Sequence, residues 1–112
     1  MKWYYLDVSE QAERDVERVF GWLVERSPHG AQSWYRVYDQ TVESLRENPD
    51  RRARAREADA FGTCEVRQIV FATQQGRSYR VLFVVQNETV HILAVRGPGQ
   101  DFVQADELEL PH

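Results

Sequence analysis

The spacing of apolar residues changes once along this chain, and that change leaves few folds open. Between Ala12 and Leu45 apolar side chains recur every three or four residues, the period of a helix; from Val66 onward they follow the period of a strand. A helix with one apolar stripe must bury it against another layer, and a strand-rich half supplies the layer. The pattern therefore predicts an α+β domain with a helical hairpin packed on one face of a mainly antiparallel, twisted sheet. With 112 residues, such a domain buries roughly two thirds of the surface its unfolded chain exposes, enough for a core without staples.

Residues 3 to 8 (Trp3, Tyr4, Tyr5, Leu6, Asp7, Val8) are aromatic and β-branched and read as a first strand. Ser9 is placed to cap a helix, with Glu10 and Glu13 in its first turn where the dipole favours anions. Ala12, Val16, Val19, Phe20, Leu23 and Val24 form its apolar stripe, while Arg14, Glu17, Arg18, Glu25 and Arg26 face water. Ser27-Pro28 stops this helix and starts the next, since proline suits a first helical turn and disfavours helical geometry in the residue before it. Ala31, Trp34, Tyr35, Tyr38, Val42 and Leu45 line the second helix, and Asn48-Pro49 closes it. The helical spacing of Trp22, Trp34, Tyr35 and Tyr38 predicts core packing for all four, and Trp3, Tyr4 and Tyr5 are expected to pack as a strand.

Three strands are expected at 66 to 72, 79 to 86 and 89 to 96, after an arginine- and alanine-rich connection over 49 to 64. Asn87-Glu88 gives the last two a tight turn, asparagine tolerating positive φ. In that register Val85 faces Val90, Phe83 faces Ile92 and Val81 faces Ala94, an apolar side for the helices. Gln86 with Thr89, Val84 with His91, Leu82 with Leu93 and Arg80 with Val95 form the other side, expected to stay free for a partner. Gly97-Pro98-Gly99 breaks the last strand. One domain over 1–102 and an acidic tail over 103–112 are expected.

The net charge of -4 is unevenly spread. Residues 51 to 80 hold seven arginines (Arg51, Arg52, Arg54, Arg56, Arg67, Arg77 and Arg80) and three acids, a basic island between acidic flanks. Guanidinium forks suit phosphates and carboxylates, although a solvated loop accounts for the same composition. The acidic whole argues against loose nucleic-acid binding, which depends on summed positive charge. Cys64 is alone, which suits a reducing, cytoplasmic setting, and no apolar run approaches a membrane span. Cys64, His29, His91 and His112 have no metal-ligand spacing. No metal or other cofactor is expected.

The order strand, helix, helix, three strands resembles the RelE/ParE superfamily of toxins from bacterial type II toxin–antitoxin pairs. The strings that carry the likeness are Val8-Ser9-Glu10-Gln11-Ala12-Glu13-Arg14-Asp15, Ser44-Leu45-Arg46-Glu47-Asn48-Pro49, Glu65-Val66-Arg67-Gln68, Tyr79-Arg80-Val81-Leu82-Phe83 and Val90-His91-Ile92-Leu93-Ala94-Val95-Arg96. They extend over residues 4 to about 101. The resemblance implies a small toxin held inactive by a cognate antitoxin, in a homodimer or a toxin–antitoxin heterotetramer. It leaves two targets open: the ribosome, where RelE-like members cut messenger RNA, and DNA gyrase, which ParE-like members bind to stop replication. One fold with two targets cannot choose between them.

RNA cleavage through a 2′-hydroxyl needs a base, an acid and cationic donors for the charge on phosphorus. By resemblance Arg80 matches the third-strand arginine that contacts the scissile phosphate in the nucleases, Arg96 matches an arginine at the end of the fourth strand, and Arg67, in the second strand, can join them. The simple register sets Arg96 on the face opposite Arg80 unless a bulge intervenes. Nuclease members carry a tyrosine or histidine just beyond the fourth strand, where this chain has Gly97-Pro98-Gly99-Gln100-Asp101-Phe102. Phe102 can stack on a base but cannot move a proton. His91 offers an imidazole as a candidate base, yet sits in mid-strand where a structural role is the simpler reading. Glu57, Asp59 and Glu65 are candidate bases from the loop, although pairing with nearby arginines or solvation is the simpler expectation for each. The remaining candidates, Arg51, Arg52, Arg54, Arg56, Arg77, His91 and Phe102, are read as binding residues. The missing acid and base, the ending Val95-Arg96-Gly97 and a pI of about 5.3 all lean towards a ParE-like toxin that blocks a replication enzyme. A ribosome-dependent nuclease and a toxin-derived binding module without toxicity are the alternatives.

Overall fold

The computed structural model describes residues 2–55, 65–73 and 77–97. The chain forms β1 (Tyr5–Val8), α1 (Glu10–Arg26), α2 (Pro28–Ser44), a 3-10 turn (Pro49–Arg51), β2 (Arg67–Ala72), β3 (Ser78–Gln86) and β4 (Thr89–Arg96). The expected order and fold class hold. Ser9 caps α1, its hydroxyl accepting the Ala12 N–H at 3.1 Å while donating to the Leu93 carbonyl at 3.0 Å. Ser27 closes one helix and opens the other: its N–H bonds the Leu23 carbonyl at 2.7 Å and its hydroxyl accepts the Gly30 N–H at 3.0 Å. The second helix ends at Ser44, short of the expected Asn48-Pro49, and Leu45 to Glu47 continue as turns bonded to Val42, Glu43 and Ser44.

The sheet order is β1-β4-β3-β2, with β1 parallel to β4 and the other pairs antiparallel. Asn87 enters the β3–β4 turn at φ 57, the left-handed geometry that asparagine accepts. Val81, Phe83, Val90, Ile92 and Val95 turn to the helices and pack with Ala12, Trp34, Tyr38, Val42 and Leu45. Trp34 anchors this layer: it stacks on Tyr38 with ring centroids 5.6 Å apart and meets Tyr79 edge-on at 5.5 Å.

Three expectations are corrected. The first is the register. Gln86–Thr89, Val84–His91, Val85–Val90 and Phe83–Ile92 pair as expected, but the ladder slips at Leu82/Phe83, so Leu82 faces Ala94, Val81 faces Val95 and Arg80 faces Arg96. Leu93 is the extra residue of this bulge, and it puts Arg80 and Arg96 on the same face. The second is the free side of the sheet. Its centre is buried: Leu82, Val84, Leu93 and Ala94 pack with Val66 and Ala55 into a second small core. Residues 53–55 reach that side along the outer edge of β2, through Ala55 N–H to Val66 O at 2.8 Å and Gln68 N–H to Ala53 O at 2.9 Å.

The third concerns the aromatics. Trp34, Tyr38 and Tyr4 are buried, but Trp22, Tyr35, Trp3 and Tyr5 are exposed, between 41% and 64%. α1 follows the direction of β4 from Ser9 beside Leu93 to Asp15 beside Val95. Its second half still packs Val16, Val19, Phe20 and Leu23 against the core, while Trp22 lies beside that stripe and stays exposed.

Candidate functional site: the arginine face of the sheet

Arg80 lies on the side of the sheet away from the helices, because its neighbours Tyr79 and Val81 both belong to the helix-side core. It is half-buried, and its guanidinium donates to the Gln68 side-chain oxygen at 3.0 Å. Across the ladders it faces Val70 on β2 and Arg96 on β4. The bulge thus brings together two arginines that a regular ladder would separate.

Arg96 does not extend over that face. Its guanidinium turns to α1 and meets the Asp15 carboxylate at 2.9 Å, with both side chains buried. The same carboxylate accepts the Val95 N–H at 2.9 Å, the Gln11 side-chain amide at 2.9 Å and Arg18 at 3.2 Å. β1 pairs with β4 only as far as Ile92, and Asp15 takes over beyond it, satisfying a strand-edge N–H that no strand covers. Four donors on one buried carboxylate make a fully bonded ion pair. Asp15 and Gln68 are the residues the sequence reading missed. Asp15 entered the sequence reading only as the end of a string that carries the family likeness, although an acid at i−3 from Arg18 is the spacing of a local pair.

Arg67 stands apart from this pair. It alternates with Ile69 and Phe71 on the helix side and holds the Arg52 carbonyl at 2.8 Å and Glu65 at 3.2 Å. Three residues along β2 separate it from Val70, the partner of Arg80, or about 10 Å. The basic island is therefore contiguous in sequence and divided in space. Arg51, Arg52, Arg54 and Arg67 gather by the 3-10 turn and the start of β2, with Arg54 bridging Arg67. Arg77 and Arg80 lie at the opposite end of β2, with Arg96. Arg56, Glu57, Asp59 and Phe102 fall outside the described residues, as does the tail.

His91 shares the Arg80 face but pairs with Val84, four ladder steps from Arg80, or about 13 Å. Its Nδ1 lies 3.1 Å from the Asp7 carboxylate on β1. Tyr79 adjoins Arg80 in sequence, yet its phenol sits under the helices against Phe71. Burial pushes its pKa up, and the Arg77 guanidinium draws it part of the way back. Around Arg80, then, the described sheet neighbours are an amide, two apolar side chains and a second arginine already bound to a carboxylate. They can hold an anion; none is placed to move a proton.

The profile of the ParE toxin of the type II toxin–antitoxin system parDE matches residues 6–102. The chain belongs to the ParE toxin family. The matched span of this family member runs from β1 past the end of β4 and includes the Arg80–Arg96 pair and Asp15. Two solved structures share its architecture. A chromosomal ParDE toxin–antitoxin system from P. aeruginosa superposes with a TM-score of 0.68 at 17% identity, over 84% of this chain and 95% of that one. A free-state arginine mutant of the E. coli toxin RelE gives 0.51 at 16% identity, over 84% and 82%. No curated protein matches significantly. Among the described residues no helix is long and apolar enough to cross a membrane.

Proposed function

We propose that this ParE-family toxin arrests growth by binding DNA gyrase, not by cutting RNA, and that a cognate antitoxin neutralises it. The carrying observation is the ParE toxin family match over residues 6–102; among the described residues, Gln68, Val70, Leu82 and an Arg96 engaged by Asp15 surround Arg80 and agree with a cationic contact face. His91, the nearest imidazole along that face, is about 13 Å away. A protein contact needs only the charge and shape of such a face, whereas transesterification at phosphorus needs proton transfer as well. The antitoxin follows from the family and from the ParDE complex that the fold resembles.

The test is direct. Purified chain is added to gyrase supercoiling reactions, and transcripts from cells expressing it are mapped by primer extension. The proposal expects loss of supercoiling and intact transcripts. Codon-positioned cuts would establish the nuclease reading instead, and harmless accumulation of the folded chain in cells would favour a binding module without toxicity.

A further inference from the structure

α1 carries Arg18, Trp22 and Arg26 at intervals of four, so the three side chains form one ridge. Trp22 stands seven residues beyond Asp15, about 10 Å further along the helix, and 41% of its surface is open. The Arg26 guanidinium lies over the Trp22 ring at 3.7 Å from its centroid, steadied by a 2.9 Å hydrogen bond to the Trp22 carbonyl. A second guanidinium, that of Arg77 from the connection between β2 and β3, approaches the same ring at 5.4 Å. Two parts of the chain far apart in sequence thus place cations on one exposed indole.

These charges are poorly compensated. Among the described residues neither Arg26 nor Arg77 forms an ion pair with a carboxylate. Arg18, with its side chain half exposed, bonds Asp15, but that carboxylate also faces Arg96. Glu25 is the acid nearest in sequence, and it pairs with none of them among the described residues. A guanidinium stacked on an aromatic ring keeps its in-plane N–H groups free, and that fork matches a carboxylate. The ring face it covers is no longer open to a nucleobase. A chain of net charge -4 also lacks the summed positive field on which binding to a phosphate backbone depends. Tryptophan and arginine are the residues over-represented where protein partners bind most strongly.

We infer that the Trp22–Arg26–Arg77 ridge is a docking surface for an acidic segment of a partner protein, separate from the Arg80 face of the sheet. The partner's carboxylates bond the outward edge of the stacked Arg26 guanidinium and the nearby Arg77 guanidinium, and its side chains cover the open part of the indole.

The probe is a hexaglutamate peptide titrated into the full-length 15N-labelled chain at low salt. Expected is a saturable shift of the Trp22 indole N–H and of the Arg26 and Arg77 Nε–H signals, with the Trp3 and Trp34 indoles unmoved. R26Q/R77Q should weaken the effect at least tenfold while leaving the thermal melt in place. The inference is overturned if Arg51, Arg52 and Arg54 shift as much as the ridge. It is equally overturned if hexathymidylate saturates the Trp22 signal at lower concentration than the peptide, or if Trp22 does not respond.

Discussion

Asp15 and Arg96, 81 residues apart, meet at 2.9 Å where β4 has outrun its partner strand. This contact joins the first helix to the end of the last strand and fixes the direction of one of the two paired arginines. Asp15→Ala leaves a buried guanidinium and the Val95 N–H without their acceptor. Breaking such a pair from one side costs about 3–5 kcal/mol. An unfolding free energy from urea titration lowered by that much, with faster amide exchange at Val95, is the expected result; Asp15→Asn should lose less, because its amide oxygen still accepts.

Ser9 and Ser27 both cap helices, but Ser9 also donates to Leu93 on β4. Ser27→Ala should cost about 1 kcal/mol, the usual value of a lost cap. Ser9→Ala should cost more, by roughly the worth of one further hydrogen bond, about 1 kcal/mol. Thermal melts of the two variants side by side give the comparison.

Burial pushes the Tyr38 phenol up to about 12, with the negative charges of Tyr35, Asp39, Glu13 and Asp15 adding to the shift. An unfolded tyrosine ionises near 10, so above that pH the unfolded chain gives up its proton before the folded one. The stability from the buried neutral phenol is therefore complete below pH 10 and falls away between 10 and about 12. The loss amounts to about 2–3 kcal/mol. Denaturation curves at stepped alkaline pH should show it, and Tyr38→Phe should flatten that part of the profile.

Among the described residues Arg80→Ala removes the hydrogen bond to Gln68 at a half-buried site, which is worth about 1 kcal/mol. Growth arrest by the expressed chain should be relieved while the circular dichroism spectrum and melt stay close to those of the parent. An unfolded variant would make Arg80 a structural residue.

Much of the fold was legible because each element carries its own signal. Ser9 with its acidic first turn, Ser27-Pro28 and Asn87 mark boundaries by local chemistry, and those boundaries hold. The bulge at Leu93 was not legible, since Ile92-Leu93-Ala94-Val95 is apolar throughout and no alternation pins its register. The relation between Arg80 and Arg96 depends on that one residue. Trp22 was misplaced because it lies beside, not on, the stripe of Val16, Val19, Phe20 and Leu23 that packs on the core, at the spacing it shares with Arg18 and Arg26. Val66 and Ala55 gave no sign of covering the far side of the sheet, because two small apolar residues in a basic stretch form no periodic pattern. Arg80's place on that side was readable from strand alternation; its bond to Gln68 depends on pairing with β2, which alternation alone does not specify.

Parallel pairing of β1 with β4 has a consequence for synthesis. The first strand finds its neighbour only when residues 89–92 have been made, and a long-range closure of this kind comes late. A nascent chain halted before that point holds an incomplete sheet, an undocked first strand and an Asp15 with no Arg96 to bind. The finished surfaces come into being together, once residues 89–96 have joined the sheet.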